Sequence, residues 1–179
     1  WTMQHRHCDF QEAVAYLEDQ VGVTVKSPTP PSVFIDQTTQ YVYQNADGAD
    51  VLTVTRTDFM DSNGTPKKQF KQRTASGQAP SKDPNYTPVP YRLPKWINST
   101  DTLLIVEGEK CADALASIGF QSTTNVGGSG NWSTELNPWF QGRNIVILPD
   151  NDQAGEKHVL AVTNALTGIA KSIRVCRLS

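Results

Sequence analysis

The stretch LLIVEGEKCADALASIG at 103–119 and its counterpart NIVILPDNDQAGEKHVLAVTNALTG at 144–168 decide the fold. Each opens with an unbroken apolar run, as a strand buried on both faces does, and each continues at helical spacing. In the first, Leu103–Val106 is the strand, and a helix over about 109–118 presents Cys111, Leu115 and Ile118 on one side before Gly119 stops it. In the second, Asn144–Leu148 is the strand, and a helix over about 154–167 turns Val159, Val162 and Leu166 inward before Gly168. Further strands are expected at 120–126 and 172–178. Strands of this kind alternating with helices predict an α/β fold, a Rossmann-like parallel sheet with flanking helices.

Both strands run into carboxylates, Glu107 after the first and Asp150 and Asp152 after the second. The C-terminal ends of parallel strands open onto one crevice, so these acids can converge although more than forty residues separate them in sequence. Asp150 and Asp152 stand at i and i+2, which in extended backbone sends both side chains the same way. Hard oxygen ligands suit Mg²⁺ or Mn²⁺, and magnesium typically takes one or two carboxylates while substrate phosphates and waters complete its shell. Glu107, Asp150 and Asp152 are therefore the candidate metal ligands and catalytic residues, Glu107 serving either as ligand or as acid/base. An Asp just ahead of a helix also suits N-capping, but one acid suffices for that and here there is a pair. The loop NVGGSGNW at 125–132 places Gly127, Gly128 and Gly130 after the second strand, where glycines either line the site with exposed backbone amides or form a plain turn. Its spacing departs from the G-x-G-x-x-G of a dinucleotide site, since Ser133 stands at the third glycine position counted from Gly128.

Ahead of this core lie YVYQN, VLTVTRT and KKQFKQR, separated by Asp47-Gly48 and Asn63-Gly64. Such pairs supply the positive φ of hairpin turns, so a three-stranded antiparallel meander is expected at 41–73, within a small β subdomain at 33–96. Alternation puts Lys67, Lys71 and Arg73 on one face and Phe70 on the other. With Lys82, Arg92 and Lys95 following, the stretch from Lys67 to Lys95 is basic inside a chain of net charge −2, an asymmetry that suits either an anionic partner or a solvated loop. Further upstream, Phe10, Val14, Leu17 and Val21 predict a short helix near 10–20, and Pro28, Pro30 and Pro31 mark a linker after a unit spanning 1–26. His5, His7 and Cys8 are zinc-type ligands without the fourth that a structural site needs.

With 179 residues the chain can bury one sizeable core and carry a smaller unit beside it. No apolar run reaches the roughly 20 residues of a membrane span. Three widely spaced cysteines make no disulfide framework, so a cytoplasmic location is expected, and the start at Trp1 reads as part of a longer protein.

VEGEK at 106–110 followed by PDNDQAG at 149–155 resembles the TOPRIM domain shared by DnaG-type primases, type IA and type II topoisomerases, OLD-family nucleases and RecR proteins. The resemblance covers roughly 102–179 and matches Glu107, Asp150 and Asp152 to the glutamate and the Asp-x-Asp of that pattern. VPYRLPKW, LLIVEGEKCADAL, TTNVGGSGNW and GRNIVILPDNDQAG are most similar to primases and primase-helicases of phages and mobile elements. HRHCDFQEAVAYL resembles the tail of the zinc-binding module that precedes such cores, with Gln4 where related proteins often have cysteine. The resemblance implies Mg²⁺-dependent (or Mn²⁺-dependent) primer synthesis from NTPs on a single-stranded DNA template, zinc in the full-length protein and a fused or associated replicative helicase. Lys67, Lys71 and Arg73, with Arg92 and Lys95, would then guide template or triphosphate; Lys110 either reaches a phosphate or pairs with Asp113, and Trp132 either stacks on a base or packs in the core. The competing expectations are a TOPRIM nuclease using the same acids and a non-catalytic nucleic-acid-binding module. A topoisomerase would need a catalytic tyrosine on a separate domain.

Overall fold

Residues 37–177 are described by the computed structural model. The predicted N-terminal helix, the proline linker and the cluster His5, His7 and Cys8 lie outside them, as does the end of the strand expected at 172–178.

The described chain opens with an antiparallel meander, β1 (Gln37–Gln44), β2 (Asp50–Met60) and β3 (Pro66–Thr74), arranged in that order. Its two turns are built alike. Asn45 Oδ1 accepts the backbone N–H groups of Asp47 and Ala49, and Asp61 Oδ1 accepts those of Asn63 and Thr65. Gly48 and Gly64 carry the positive φ, at 84° and 72°, whereas Asp47 and Asn63 do not. The connections are thus three-residue loops closed by a left-handed glycine, not the two-residue turns that need positive φ at both central positions. The side chain at the head of each loop adds two hydrogen bonds to the backbone ones, in which Gly48 N–H donates to the Asn45 carbonyl and Gly64 N–H to that of Asp61.

Register then fixes which face is which. Tyr41 pairs with Val54, Tyr43 with Leu52, Arg56 with Phe70 and Asp58 with Lys68. One face therefore carries Tyr41, Tyr43, Leu52 and Val54, all buried, and continues outward through Arg56, Phe70 and Lys68. Lys67, Lys71 and Arg73 occupy the other face, as the alternation requires.

After a 3₁₀ turn (Pro80–Lys82) and a short helix α1 (Leu93–Trp96) comes the second sheet. It comprises β4 (Leu103–Val106), β5 (Gln121–Thr123), β6 (Asn144–Leu148) and β7 (Ser172–Val175), all parallel, in the order β5-β4-β6-β7. Helices α2 (Glu109–Ser117) and α3 (Gln153–Leu166) provide two crossovers, and a 3₁₀ segment (Thr134–Phe140) lies in the third. Every residue of β4 is buried, which accounts for its unbroken apolar run. β5 is shorter than the expected 120–126 because the chain leaves the ladder after Thr123, and Thr124 gives its carbonyl to Tyr91 N–H at 2.9 Å.

The two sheets share one core. Tyr41 and Tyr43 set their rings against Tyr91 at 6.1 and 5.0 Å, and Tyr43 Oη donates to Glu109 Oε1 at 2.8 Å. The buried face of the meander is thereby docked onto the start of α2, and its outer end overhangs the C-terminal ends of β4 and β6.

Candidate functional site

β5 lies on one side of β4 and β6 on the other, so the chain reverses its direction of travel across the sheet between β4 and β6. At such a switch point the loops leaving adjacent strand ends diverge and open a crevice, the usual ligand position in a parallel sheet. Glu107 stands at the end of β4 and Asp150 two residues beyond β6. They are stitched together directly: Asp150 N–H donates to Glu107 Oε1 at 3.0 Å.

Glycine makes this approach possible. A Cβ on Gly155, in the first turn of α3, would sit 2.1 Å from the Asp150 carbonyl oxygen and 2.8 Å from Glu107 Oε1. Only a residue without a side chain lets the helix start press against both acids, which explains the final glycine of PDNDQAG. Gly128 performs the same service from the other side, with φ +65° and a Cβ that would fall 2.9 Å from the Glu107 carbonyl oxygen. The glycine loop is tied internally by Asn125, whose buried amide donates to the carbonyls of Gly128 at 2.8 Å and Val126 at 3.2 Å.

Asp152 is placed differently from its neighbour. Its carboxylate accepts from Gly155 N–H at 2.8 Å and so caps α3. Asp152 N–H in turn bonds the Asp150 carbonyl at 2.9 Å, folding 150–152 into a tight turn in place of the extended backbone that would have sent the two side chains the same way. Among the described residues, no group of three His, Cys, Asp or Glu side chains is arranged to hold a metal ion. Of the three expected acids, Glu107 and Asp150 are brought together at the crevice, where Glu109 also lines the cavity, and Asp152 caps the helix behind them.

The crevice is a cavity of about 380 Å³ with two unlike walls. One holds Glu107, Gly108, Glu109, Lys110, Cys111, Asp150 and the loop residues Gly127, Gly128 and Ser129; the other is the meander face with Val54, Arg56, Lys68, Phe70 and Gln72. Lys68 lines the cavity and Lys67, Lys71 and Arg73 do not, because Tyr41 and Tyr43 turn the even-numbered face of β3 inward. Lys67 lies 4.0 Å from Asp61 on the far face, and Arg73 donates to the Gln72 carbonyl at 2.9 Å. Arg92 is bound to Asp113 at 2.8 Å, and Tyr91 Oη donates to the same carboxylate at 3.1 Å. Asp113 is thus occupied by other partners, and Lys110 lines the cavity. Gly130 has φ +81° but does not line the cavity. Trp132 packs in the core, its ring 5.3 Å from Phe140 and 6.5 Å from His158, and donates through Nε1 to Asn137.

Comparison with protein-family models, with curated proteins and with solved structures finds no match.

Electrostatics distinguish the walls further. Arg56 is held by Asp58 through two contacts of 2.7 Å, which raise the guanidinium pKa and lower that of the carboxyl. Burial raises the Cys111 thiol, and the nearby Asp150 charge pushes it the same way. His158 in α3 is fully buried with no partner for either ring nitrogen; burial lowers its pKa, while Asp150 pulls the other way. Arg56, Lys68, Phe70 and Glu109 do not stand out in the sequence. KKQFKQR carries the right composition, but the inward face of a strand depends on its partner strands.

The donor set at Glu107 and Asp150 suits a magnesium ion bound by one or two carboxylates, with room in the cavity for waters and phosphate oxygens. It is a poor match to a closed three-carboxylate cage, since no three such acids are grouped among the described residues and Asp152 gives its Oδ1 to the helix start.

Proposed function

We propose that the chain is the core of a metal-dependent nucleotidyltransferase of the primase type, joining NTPs on a single-stranded DNA template. The observation that carries this reading is the pairing of Glu107 with Asp150 across the switch point, facing a cavity lined by Lys68, Lys110 and Arg56. An acid pair opposite cations suits a substrate that brings both a divalent ion and a polyphosphate. The TOPRIM-like order of Glu107, Asp150 and Asp152 in the sequence supports the same reaction class.

In this reading Glu107 and Asp150 hold the ion, and Asp152 fixes the helix start that backs them. Magnesium bound there supplies charge neutralisation for the triphosphate and favours ionisation of the attacking 3′-hydroxyl. Lys68 and Lys110 orient the phosphates from the two walls. The Asp150 amide holds Glu107 in place by donating to Oε1. Gly127 and Gly128 line the cavity beside the acids, so their turn presents no side chain to an approaching anion, and the Gly128 N–H itself donates to the Asn125 carbonyl at 3.3 Å.

One observation favours a second reading, a nucleic-acid-binding module without catalysis: among the described residues the expected trio of acids is not grouped to hold a metal, and Asp152 caps a helix through Oδ1. An oligonucleotide synthesis assay with NTPs, Mg²⁺ and single-stranded DNA separates the cases. New oligonucleotides support the primase reading, loss of template indicates a nuclease, and binding without either indicates the module.

A further inference from the structure

Phe70 is the one large apolar residue of β3, PKKQFKQRT, and it remains 47% exposed although it lies on the meander's inward face. The packed part of that face ends at Tyr41, Leu52 and Val54; Phe70 stands beyond it and lines the cavity. Core packing therefore does not explain an aromatic at this position. Directly across the ladder is Arg56, whose guanidinium carbon lies 5.8 Å from the Phe70 ring centroid. Asp58 grips that guanidinium at two points, which holds it over one face of the ring.

The cavity thus has an acid end at Glu107 and Asp150, two lysines at 68 and 110, and on the meander a half-exposed aromatic ring with a guanidinium over it. A ligand that satisfies all three carries a cation-binding polyanion and a planar ring. At about 380 Å³ the space lies in the ordinary range of small-molecule sites, roughly 300–1,000 Å³. We infer that Phe70, flanked by Arg56, is the base platform of a nucleoside triphosphate site whose phosphates lie between Lys68, Lys110 and the acid pair. The choice of a triphosphate rests on the nucleotidyl-transfer reading; the platform itself rests on the exposed ring and its neighbours. Stacking on an aromatic face tolerates every base, so the site accepts all four NTPs.

Calorimetric titration of the chain with Mg²⁺-ATP, Mg²⁺-GTP and Mg²⁺-tripolyphosphate tests this, using Phe70→Ala and Phe70→Trp. Because the side chain is half exposed, both variants retain the wild-type unfolding midpoint. Phe70→Ala weakens binding of both nucleotides about tenfold and leaves tripolyphosphate unchanged, while Phe70→Trp binds nucleotides at least as well as wild type. The inference is overturned if Phe70→Ala binds ATP like wild type, if ATP and tripolyphosphate weaken together, if the loss is confined to single-stranded oligonucleotides, or if the wild-type chain binds no nucleotide. Nucleotide binding through Phe70 without primer synthesis would remove the primase reading and keep the platform. Primer synthesis with an unchanged KM for NTPs in Phe70→Ala would do the reverse.

Discussion

The two walls of the cavity are made in opposite ways. The acid wall is set by close packing: β4 and β6 are buried, Gly155 and Gly128 press backbone against the acids, and a backbone amide holds Glu107. The meander wall is docked through Tyr41 and Tyr43 at its inner end, while register alone places its Lys68 and Phe70, which stand exposed on an open strand. The first leaves no room for variation in shape, as the proposed nucleotidyl transfer would require. The second leaves room for ligands that differ in their outer parts. The contrast predicts that changes to the backbone packing of the acid wall cost both stability and activity, whereas changes to the exposed side chains of the meander wall cost affinity alone.

The largest effect is expected at Gly155. In Gly155→Ala the new Cβ must displace the Asp150 carbonyl, so urea unfolding should register a loss of about 3 kcal/mol together with loss of any metal-dependent activity. A variant of wild-type stability and activity would show the acid wall to be looser than described.

The junction between the walls comes next. Tyr43→Phe removes the hydroxyl that donates to the buried Glu109 and should cost about 1.5–3 kcal/mol in the same measurement, as expected for a hydrogen bond to a charged group. A negligible change would mean that packing of the tyrosine rings alone holds the meander in place.

A smaller, pH-dependent effect is expected behind the acid wall. His158 is buried and its pKa is lowered, so the unfolded chain takes up a proton near pH 6.5 that the folded chain resists. Its contribution is complete above that pH and declines as the pH falls below it. Unfolding midpoints compared at pH 7.5 and pH 5 should therefore fall less in His158→Leu than in wild type; equal declines would assign the acid sensitivity to other groups.

The smallest effect belongs to the outer face. Replacing Lys67, Lys71 and Arg73 together with Ala should leave nucleotide binding intact, because these residues point away from the cavity. If they bind single-stranded template, the salt slope of strand binding falls by about 2, roughly 0.7 for each phosphate that is no longer neutralised. An unchanged slope would leave the stripe with solubility as its role.

Much of this arrangement is legible in the order of the amino acids. Apolar runs at 103–106 and 144–148 mark the two central parallel strands, and the two glycine-closed turns mark the meander. Three features cannot be read so directly. The inward face of β3 depends on Tyr41 and Tyr43, which are two strands away and turn Lys68 toward the acids in place of Lys67. Asp152 could serve as cap or ligand, and the tight turn at 150–152 brings its Oδ1 to the Gly155 N–H at the helix start. Glu109 follows Glu107 by two positions, yet it enters a helix and faces Tyr43, a partner 66 positions away in sequence.

The central claim is that the Glu107–Asp150 pair performs metal-dependent nucleotidyl transfer. Its most direct test is primer synthesis by wild type, Glu107→Gln and Asp150→Asn, each checked for a native unfolding midpoint, with NTPs, single-stranded DNA and Mg²⁺ or Mn²⁺. The account predicts synthesis by wild type and none by either folded variant. Wild-type activity in Asp150→Asn or Glu107→Gln would contradict it.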